Sequence, residues 1–572
     1  MKEIKKRKTK FKFNLTDYKK AVKGFKWKNY EKEIQWLGKN KLNTASNSID
    51  KHIGTVRENK VALIWESGEG TEKKFTFREM HELSNKFANV LKKFKIKKGQ
   101  RVFFLLERIP ELYFSYLGTI KYGAIAGTMF CAFGPDAIYD RLENSEAVAI
   151  ITDSNLVKRV NEIKHKLPNL KHVFIVDKPD KKRKEIDFQK ELEQASDEFT
   201  AVKMNQKDYA FMLYTSGTTG KPKGVMHAHR SALYEHLTAK WVLDVHDTDV
   251  YWCTADPGWV TGIAYGMLGI WSNGATSLVY AGRFDAEKWY SLIEKHSVNI
   301  WYTAPTAVRL LMGAGKEAVK KYDLSSLRYL CSVGEPLNPE PIKWAINSIG
   351  LPFHDNYWQT ETGGIVIANY ASMNIRPGSM GKPFPGIYAA IIDEKGKELK
   401  TGKEGDLALK PNWPGIMKTI WKQKKRYKKY FLKKWYLTGD KAMKDKDNYF
   451  WFVGRGDDII KTSGERVGPF EVESALISHP SVLEAGVIGK PDAIKGEIIK
   501  AFVVLKKGFK KSDALAKALQ MHVKKNYAGH AYPKEIEFVD SLPKTQSGKI
   551  MRRLLKAKEL GQDTGDMSTI AK

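Results

Sequence analysis

At 572 residues the chain is too long for one hydrophobic core, and with 42% apolar and 28% charged residues it has ordinary globular composition, so two or more packed domains are expected. Cys131, Cys253 and Cys331 are far apart and lack metal-ligand spacing, and no apolar run approaches the ~18 residues of a membrane span, which points to a reduced, cytoplasmic protein with no membrane partner. The net charge of +32 favours anionic partners, yet the lysines are spread along the chain without an interleaved aromatic platform, so no nucleic-acid partner is expected.

Residues 1–59 show little periodicity beyond Trp27 to Trp36 and are expected to form an irregular arm packed on the first domain. That domain is assigned to 60–456. Thr76 with Glu79 predicts a capping box, and Met80, Leu83, Phe87, Val90 and Phe94 then recur at helical spacing until Gly99. Val102 to Leu106 is wholly apolar, as in a buried parallel strand, and Pro110 opens the next helix. Ile125 to Phe130 and Ala147 to Ile151 repeat the pattern, which implies an α/β domain with a mostly parallel sheet. The charged stretch 178–200 is expected to be a surface excursion.

Between an apolar run at Ala210 to Leu213 and a helical-looking segment lies Tyr214 to Gly224, which reads Tyr-Thr-Ser-Gly-Thr-Thr-Gly-Lys-Pro-Lys-Gly. Glycines let backbone N–H groups approach an anion, hydroxyls donate further hydrogen bonds and lysines supply charge, so this is a mobile loop suited to phosphates. Two residues between Gly217 and Gly220, and Pro222 after Lys221, do not fit the Walker spacing. Farther on, Leu278 to Tyr280 and Ile300 to Tyr302 read as strands with Ala286 to Lys295 as a helix between them. Short strands and many glycines from Gly378 to Gly456 suggest a β-rich subdomain. The remainder, 457–572, reads as a small α+β unit, with helices at Pro469 to Ser478 and Asp513 to Asn526 and strands at Ala485 to Gly489 and Ala501 to Leu505.

The loop resembles the signature of the AMP-forming adenylating enzymes, the superfamily of acyl-CoA synthetases, firefly luciferases and peptide-synthetase adenylation domains. Five later stretches match that superfamily in order: Ser332 to Pro336, Asp355 to Thr362, Tyr436 to Asp440, Gly454 to Gly468 and Leu542 to Ile550. The resemblance implies a large N-terminal domain of several α/β and β-rich subdomains and a small mobile C-terminal domain. It implies that Thr215, Ser216, Gly217, Thr218, Thr219 and Lys223 hold the ATP phosphates and that Gly334, Glu335 and Pro336 form the adenine turn. Asp355, Asn356, Tyr357, Trp358, Gln359 and Thr360 would complete the nucleotide site, with Glu361 on Mg²⁺, Asp440 and Arg455 on the ribose and Arg466 on phosphate. Asp457 would be the hinge, Ser463 and Gly464 would pass beside coenzyme A, and Lys549 would be the catalytic cation. It further implies Lys524 near coenzyme A and Ile477, His479 and Val482 as a second Mg²⁺ site. Glu465 and Gln546 stand where the family often has His and Arg.

Trp358, with Val260, Thr261 and Val333, resembles the very small acyl pocket of the acetyl-CoA synthetases, with Thr261 also toward coenzyme A. The implied reaction joins acetate to coenzyme A through an acetyl-adenylate at the expense of ATP. Propionate or another short acid is the alternative, because one methylene is worth only ~1–3 kcal/mol of discrimination. The resemblance also implies a lysine acetyltransferase and deacetylase as partners acting on Lys549.

Overall fold

The computed structural model describes residues 3–7, 9, 11–215, 222–462, 465–492, 495–526, 531–545, 549–562 and 564. Two large sheets dominate the N-terminal part. In the eight-stranded sheet, Arg101–Leu105 lies between Ile125–Thr128 and Ala149–Thr152, parallel to both, and burial on both faces explains the unbroken apolar runs. The nine-stranded sheet has a parallel centre of Val250–Cys253, Thr276–Tyr280, Ile300–Thr303, Tyr329–Ser332 and Phe353–Tyr357. Residues 260–272 join the two sheets: Ile263, Met267 and Trp271 share one core with Phe104 and Phe211 of the first sheet and Val279 of the second. Beside them, helix Ser231–Trp241 is buried along almost its whole length.

The predicted helix start is realised as a full capping box, Thr76 accepting from the Glu79 N–H while Glu79 accepts from the Thr76 N–H, and Pro110 occupies the first turn of Pro110–Tyr122. The arm is short helices and 3₁₀ turns whose Phe25, Trp27 and Tyr30 pack on Trp241, Tyr234 and Phe384. Gly378 to Gly456 supplies the β-rich five-stranded sheet built on Trp435–Lys444. Beyond it, a second five-stranded sheet with helices Pro469–Ile477 and Asp513–Asn526 encloses a core of its own. Among the described residues no helix is long and apolar enough to cross a membrane.

Two expectations are corrected. The segment after the glycine-rich loop is not helical: Lys223–Ala228 is a strand antiparallel to Tyr209–Thr215, with Thr215 opposite Lys223, and a helix begins only at Ser231. All six residues of that strand are buried, so the alternation that marks a strand is lost. The stretch 178–200 is more than a surface excursion, because Ile186–Asp187 adds an edge strand and helix Phe188–Glu193 buries Phe188 and Leu192.

Candidate functional site

Parallel strands of the nine-stranded sheet end side by side, and the loops leaving their carboxyl ends form the site, the usual place for ligands in such sheets. Gly334 follows Tyr329–Ser332 with φ +95°, a conformation that favours glycine. Asp355 is buried, and its carboxylate accepts the Leu337 N–H at 3.2 Å and the Asn356 N–H at 3.0 Å, so it holds this turn from beneath. Burial pushes the Asp355 pKa well above the carboxylate range despite those donors. Glu335 turns inward and accepts from Thr306 Oγ1 at 2.6 Å and from Arg309 Nη2 at 2.8 Å.

Asp440 sits opposite Arg455 on paired strands. Its Oδ2 accepts from the Tyr357 hydroxyl and from Gln359 Nε2 at 2.9 Å, and Gln359 is itself held by Thr438 O at 2.8 Å and the Tyr436 hydroxyl at 2.9 Å. Arg455 Nε lies 3.2 Å from Asp440 Oδ1 without an aligned hydrogen bond, so the capacity of that buried acceptor is unused by the described residues. Burial raises the Asp440 pKa against the opposing charge of Arg455, while burial would lower Arg455 but Asp440, Asp457, Tyr357 and Asp458 together outweigh it and raise its pKa. Lys549 enters this cluster from the C-terminal unit. Its side chain keeps solvent contact in a cleft crowded by protein, and that crowding, then the Arg455 charge, lowers its pKa while Asp440 and Asp458 oppose the shift.

The base of the glycine-rich hairpin meets the same cluster. Lys223 Nζ is 2.5 Å from Glu361 Oε1 and donates to the Tyr430 hydroxyl, which in turn lies 3.4 Å from Glu361 Oε1. Burial would raise Glu361, but Lys223 outweighs it and keeps the carboxylate below its usual pKa. Thr215 Oγ1, at the end of the hairpin's first strand, is buried with no hydrogen-bond partner among the described residues. Ser216, Gly217, Thr218 and Thr219 lie outside the described residues. An ionised carboxylate that the surrounding side chains engage through Oε1 fits a hard divalent cation, which prefers oxygen ligands.

Trp358 leaves the strand next to that of Val333, whose N–H donates to Thr303 O at 3.2 Å. Its Nε1 donates to the Tyr302 hydroxyl at 3.3 Å, that hydroxyl donates to Asn356 Oδ1 at 2.9 Å, and the indole stands edge-on to Tyr265 at 5.1 Å and 85°. Tyr265 is four residues beyond Thr261 in the helical run that starts at Val260, and is fixed by the Ile365 N–H and Thr238. Tyr265, Tyr302, Tyr430 and Arg309 were not singled out from sequence. Helical spacing from Thr261 and the end of the Ile300 to Tyr302 strand signal the first two, whereas Tyr430 hides in a lysine run.

The other expected residues are more scattered. Asp457 is exposed in the turn closed by the Asp458 N–H on Arg455 O at 3.0 Å. Ser463 and Gly464 lie outside the described residues, and Arg466 pairs with Lys461 in strand Glu465–Val467. Lys524 is exposed with its ammonium 5.6 Å from the Tyr532 ring. Ile477 is buried, His479 Nδ1 is 2.8 Å from Ser481 Oγ, and the Val482 N–H donates to the His479 carbonyl at 3.1 Å. Among the described residues, only Glu66, Glu72 and His296 cluster closely enough to hold a metal, and Lys288 and Lys295 already pair with those carboxylates.

Comparison with known proteins agrees with this geometry. The AMP-binding enzyme family profile matches residues 51–421, and the AMP-binding enzyme C-terminal domain profile matches 471–549. The chain is 51% identical over 560 residues to an acetyl-coenzyme A synthetase of Bacillus subtilis (strain 168), covering 97% of each chain. Among solved structures, it resembles an acyl-CoA synthetase of Brucella canis at TM-score 0.75 and 36% identity, covering 96% of this chain and 99% of that one. It also resembles an anthranilate CoA ligase in complex with anthranoyl-AMP at TM-score 0.84 and 29% identity, covering 94% and 99%.

Proposed function

The chain belongs to the AMP-binding enzyme family, and from that membership we propose that it is an AMP-forming acetate–CoA ligase that converts ATP, acetate and coenzyme A to AMP, diphosphate and acetyl-CoA. The observation that carries this reading is the delivery of Lys549 into the Asp440–Arg455 pair, beside a Lys223–Glu361 base at the phosphate-loop hairpin.

In the first half-reaction an acetate oxygen attacks the α-phosphorus of ATP and diphosphate leaves, giving acetyl-adenylate. No protein nucleophile is needed; the anionic reactants must be held in line and their charge offset. Asp440 Oδ1, an unused buried acceptor with Arg455 beside it, suits the ribose diol. The Gly334 to Pro336 turn and the 355–360 stretch flank the base, and the hairpin at Thr215 and Lys223 takes the departing phosphates. Lys549 places a cation against the charge that develops between carboxylate and α-phosphate. Glu361 would hold Mg²⁺, which when bound offsets charge on the nucleotide oxygens.

In the second half-reaction the unit 457–572 turns about Asp457 relative to 60–456 and its arm 1–59, withdrawing Lys549 and presenting Ser463 and Gly464. The coenzyme A sulfur bonds to the acetyl carbon, the carbon–oxygen bond to AMP breaks, and the thiol proton passes to solvent. Arg466 would then serve the phosphate, and Thr261 and Lys524 coenzyme A. Val260, Thr261, Val333 and Trp358 close the acyl pocket to little more than a methyl group. Acylation of Lys549 would remove its charge, which makes it a fitting target for an acetyltransferase and deacetylase in a cytoplasmic setting.

Exchange of labelled diphosphate into ATP, measured across acids from acetate to octanoate, tests this reading. Acetate should support the fastest exchange, propionate a slower one and butyrate little. Exchange that peaked at a longer acid would overturn the acetate assignment.

A further inference from the structure

Between the two units lies a buried group of charges, of which only Glu335 belongs to the nucleotide site above. Arg309, on helix Pro305–Ala314, bonds Glu335 of the Gly334 turn through Nη2 at 2.8 Å. Among the described residues its Nε has no hydrogen-bond partner, and it faces Glu484 Oε1 at 3.6 Å, across the boundary, on strand Val482–Asp492 of the C-terminal unit. Glu484 is held on its own side by Lys544 at 2.6 Å. The side chains of Arg309, Glu335 and Glu484 are 5%, 10% and 6% exposed. Next to the pair, Asn338 Nδ2 donates to Ser474 Oγ across the same boundary at 2.5 Å.

Charges are costly to bury unless paired, and removing one partner normally strands the other. Here each side carries its own counter-ion: Arg309 keeps Glu335 and Glu484 keeps Lys544 when the units part, so no buried charge is orphaned by separation. A contact that both sides can leave without penalty suits a joint that opens and closes in every cycle. Arg309 also grips Glu335, so the turn at Gly334 and the docking of the C-terminal unit share one side chain.

We propose that Arg309 is a positioning residue that couples the Gly334 to Pro336 turn to the Lys549-in orientation through Glu484. It acts in the adenylation half-reaction and not in thioester formation. The inference rests on the two-step reaction proposed above.

The test is Glu484→Gln, which keeps the shape and an acceptor for Lys544 but removes the charge facing Arg309. Three quantities are read: acetate-dependent diphosphate exchange, acetyl-CoA formation from supplied acetyl-adenylate, and the docked fraction from a donor–acceptor dye pair on the two units. Exchange should fall about tenfold in kcat, about 1.4 kcal/mol, with the KM for ATP within about twofold. Thioester formation should stay within about twofold, and the docked fraction should drop. Equal loss in both halves, or unchanged exchange, overturns the proposal. Should the Gln variant fail to fold, Glu484→Asp, which keeps the charge but retracts it, is read in the same way, with a smaller loss confined to exchange expected. A wild-type protein that catalysed no exchange with any acid would refute the ligase reading itself, a different outcome from an insensitive variant.

Discussion

Replacing Trp358 by glycine removes the indole that stands edge-on to Tyr265 at 5.1 Å and donates to Tyr302 at 3.3 Å. The aromatic pair contributes about 0.5–1.5 kcal/mol and the hydrogen bond about 1 kcal/mol. Lost contact with the half-buried ring adds to this, so the Trp358→Gly protein should be about 2–3 kcal/mol less stable, within the usual range for such truncations. The space released lies against Tyr265 and Tyr302, and on the proposed reading it should accept further methylenes. At about 0.8 kcal/mol per buried CH₂, butyrate gains at least about 1.6 kcal/mol relative to acetate, which is about 15-fold in relative kcat/KM. Diphosphate exchange with acetate, propionate, butyrate and hexanoate reads the ratio, and thermal unfolding checks that the variant is folded. A folded variant with the wild-type acid profile would show that Trp358 does not wall the acyl pocket.

Two further outcomes are expected. Glu235 is buried with no aligned hydrogen bond to either carboxyl oxygen from the described residues, and burial, opposed only weakly by the nearby Ser231 hydroxyl, pushes its pKa up to about 8 from 4.5. The native state therefore holds a proton that the unfolded chain has lost, so this group's contribution to stability is greatest below about 4.5 and falls by about 1.4 kcal/mol per pH unit up to about 8. Thermal unfolding between pH 6.5 and 8 should show a shallower loss for Glu235→Gln than for wild type; parallel curves would refute the buried neutral acid. Tyr302→Phe deletes the hydroxyl that links Trp358 to Asn356. It should raise the propionate-to-acetate ratio about three- to tenfold with the fold intact, and an unchanged ratio would show that this hydroxyl does not set the position of the indole.

Much of the fold is legible in the sequence because local and global signals coincide. The Thr76–Glu79 box starts its helix, Pro110 opens the next, and the apolar run at Val102 to Leu106 marks a strand buried on both faces. The same rule misleads at Lys223–Ala228, where burial of every residue erases alternation and a strand reads as a helix. The site's motifs are visible as words in the sequence, but their convergence is not. Lys223 and Glu361 come from different sheets and meet where the 417–421 segment bonds to both, its Met417 N–H on Glu361 O and its Lys418 N–H on Met226 O, and Tyr430 reaches them from a lysine run with no pattern of its own. Arg309 is a further case: an arginine in an apolar helix carries no local mark, and its partners come from a turn and from the other unit.

The central claim is that Lys549 serves adenylation alone and leaves the site for thioester formation. The direct measurement compares the two half-reactions in Lys549→Ala. Acetate-dependent exchange of diphosphate into ATP should be abolished, while acetyl-CoA formation from supplied acetyl-adenylate and coenzyme A should remain largely intact. Equal loss of both, or exchange that survives, would contradict it.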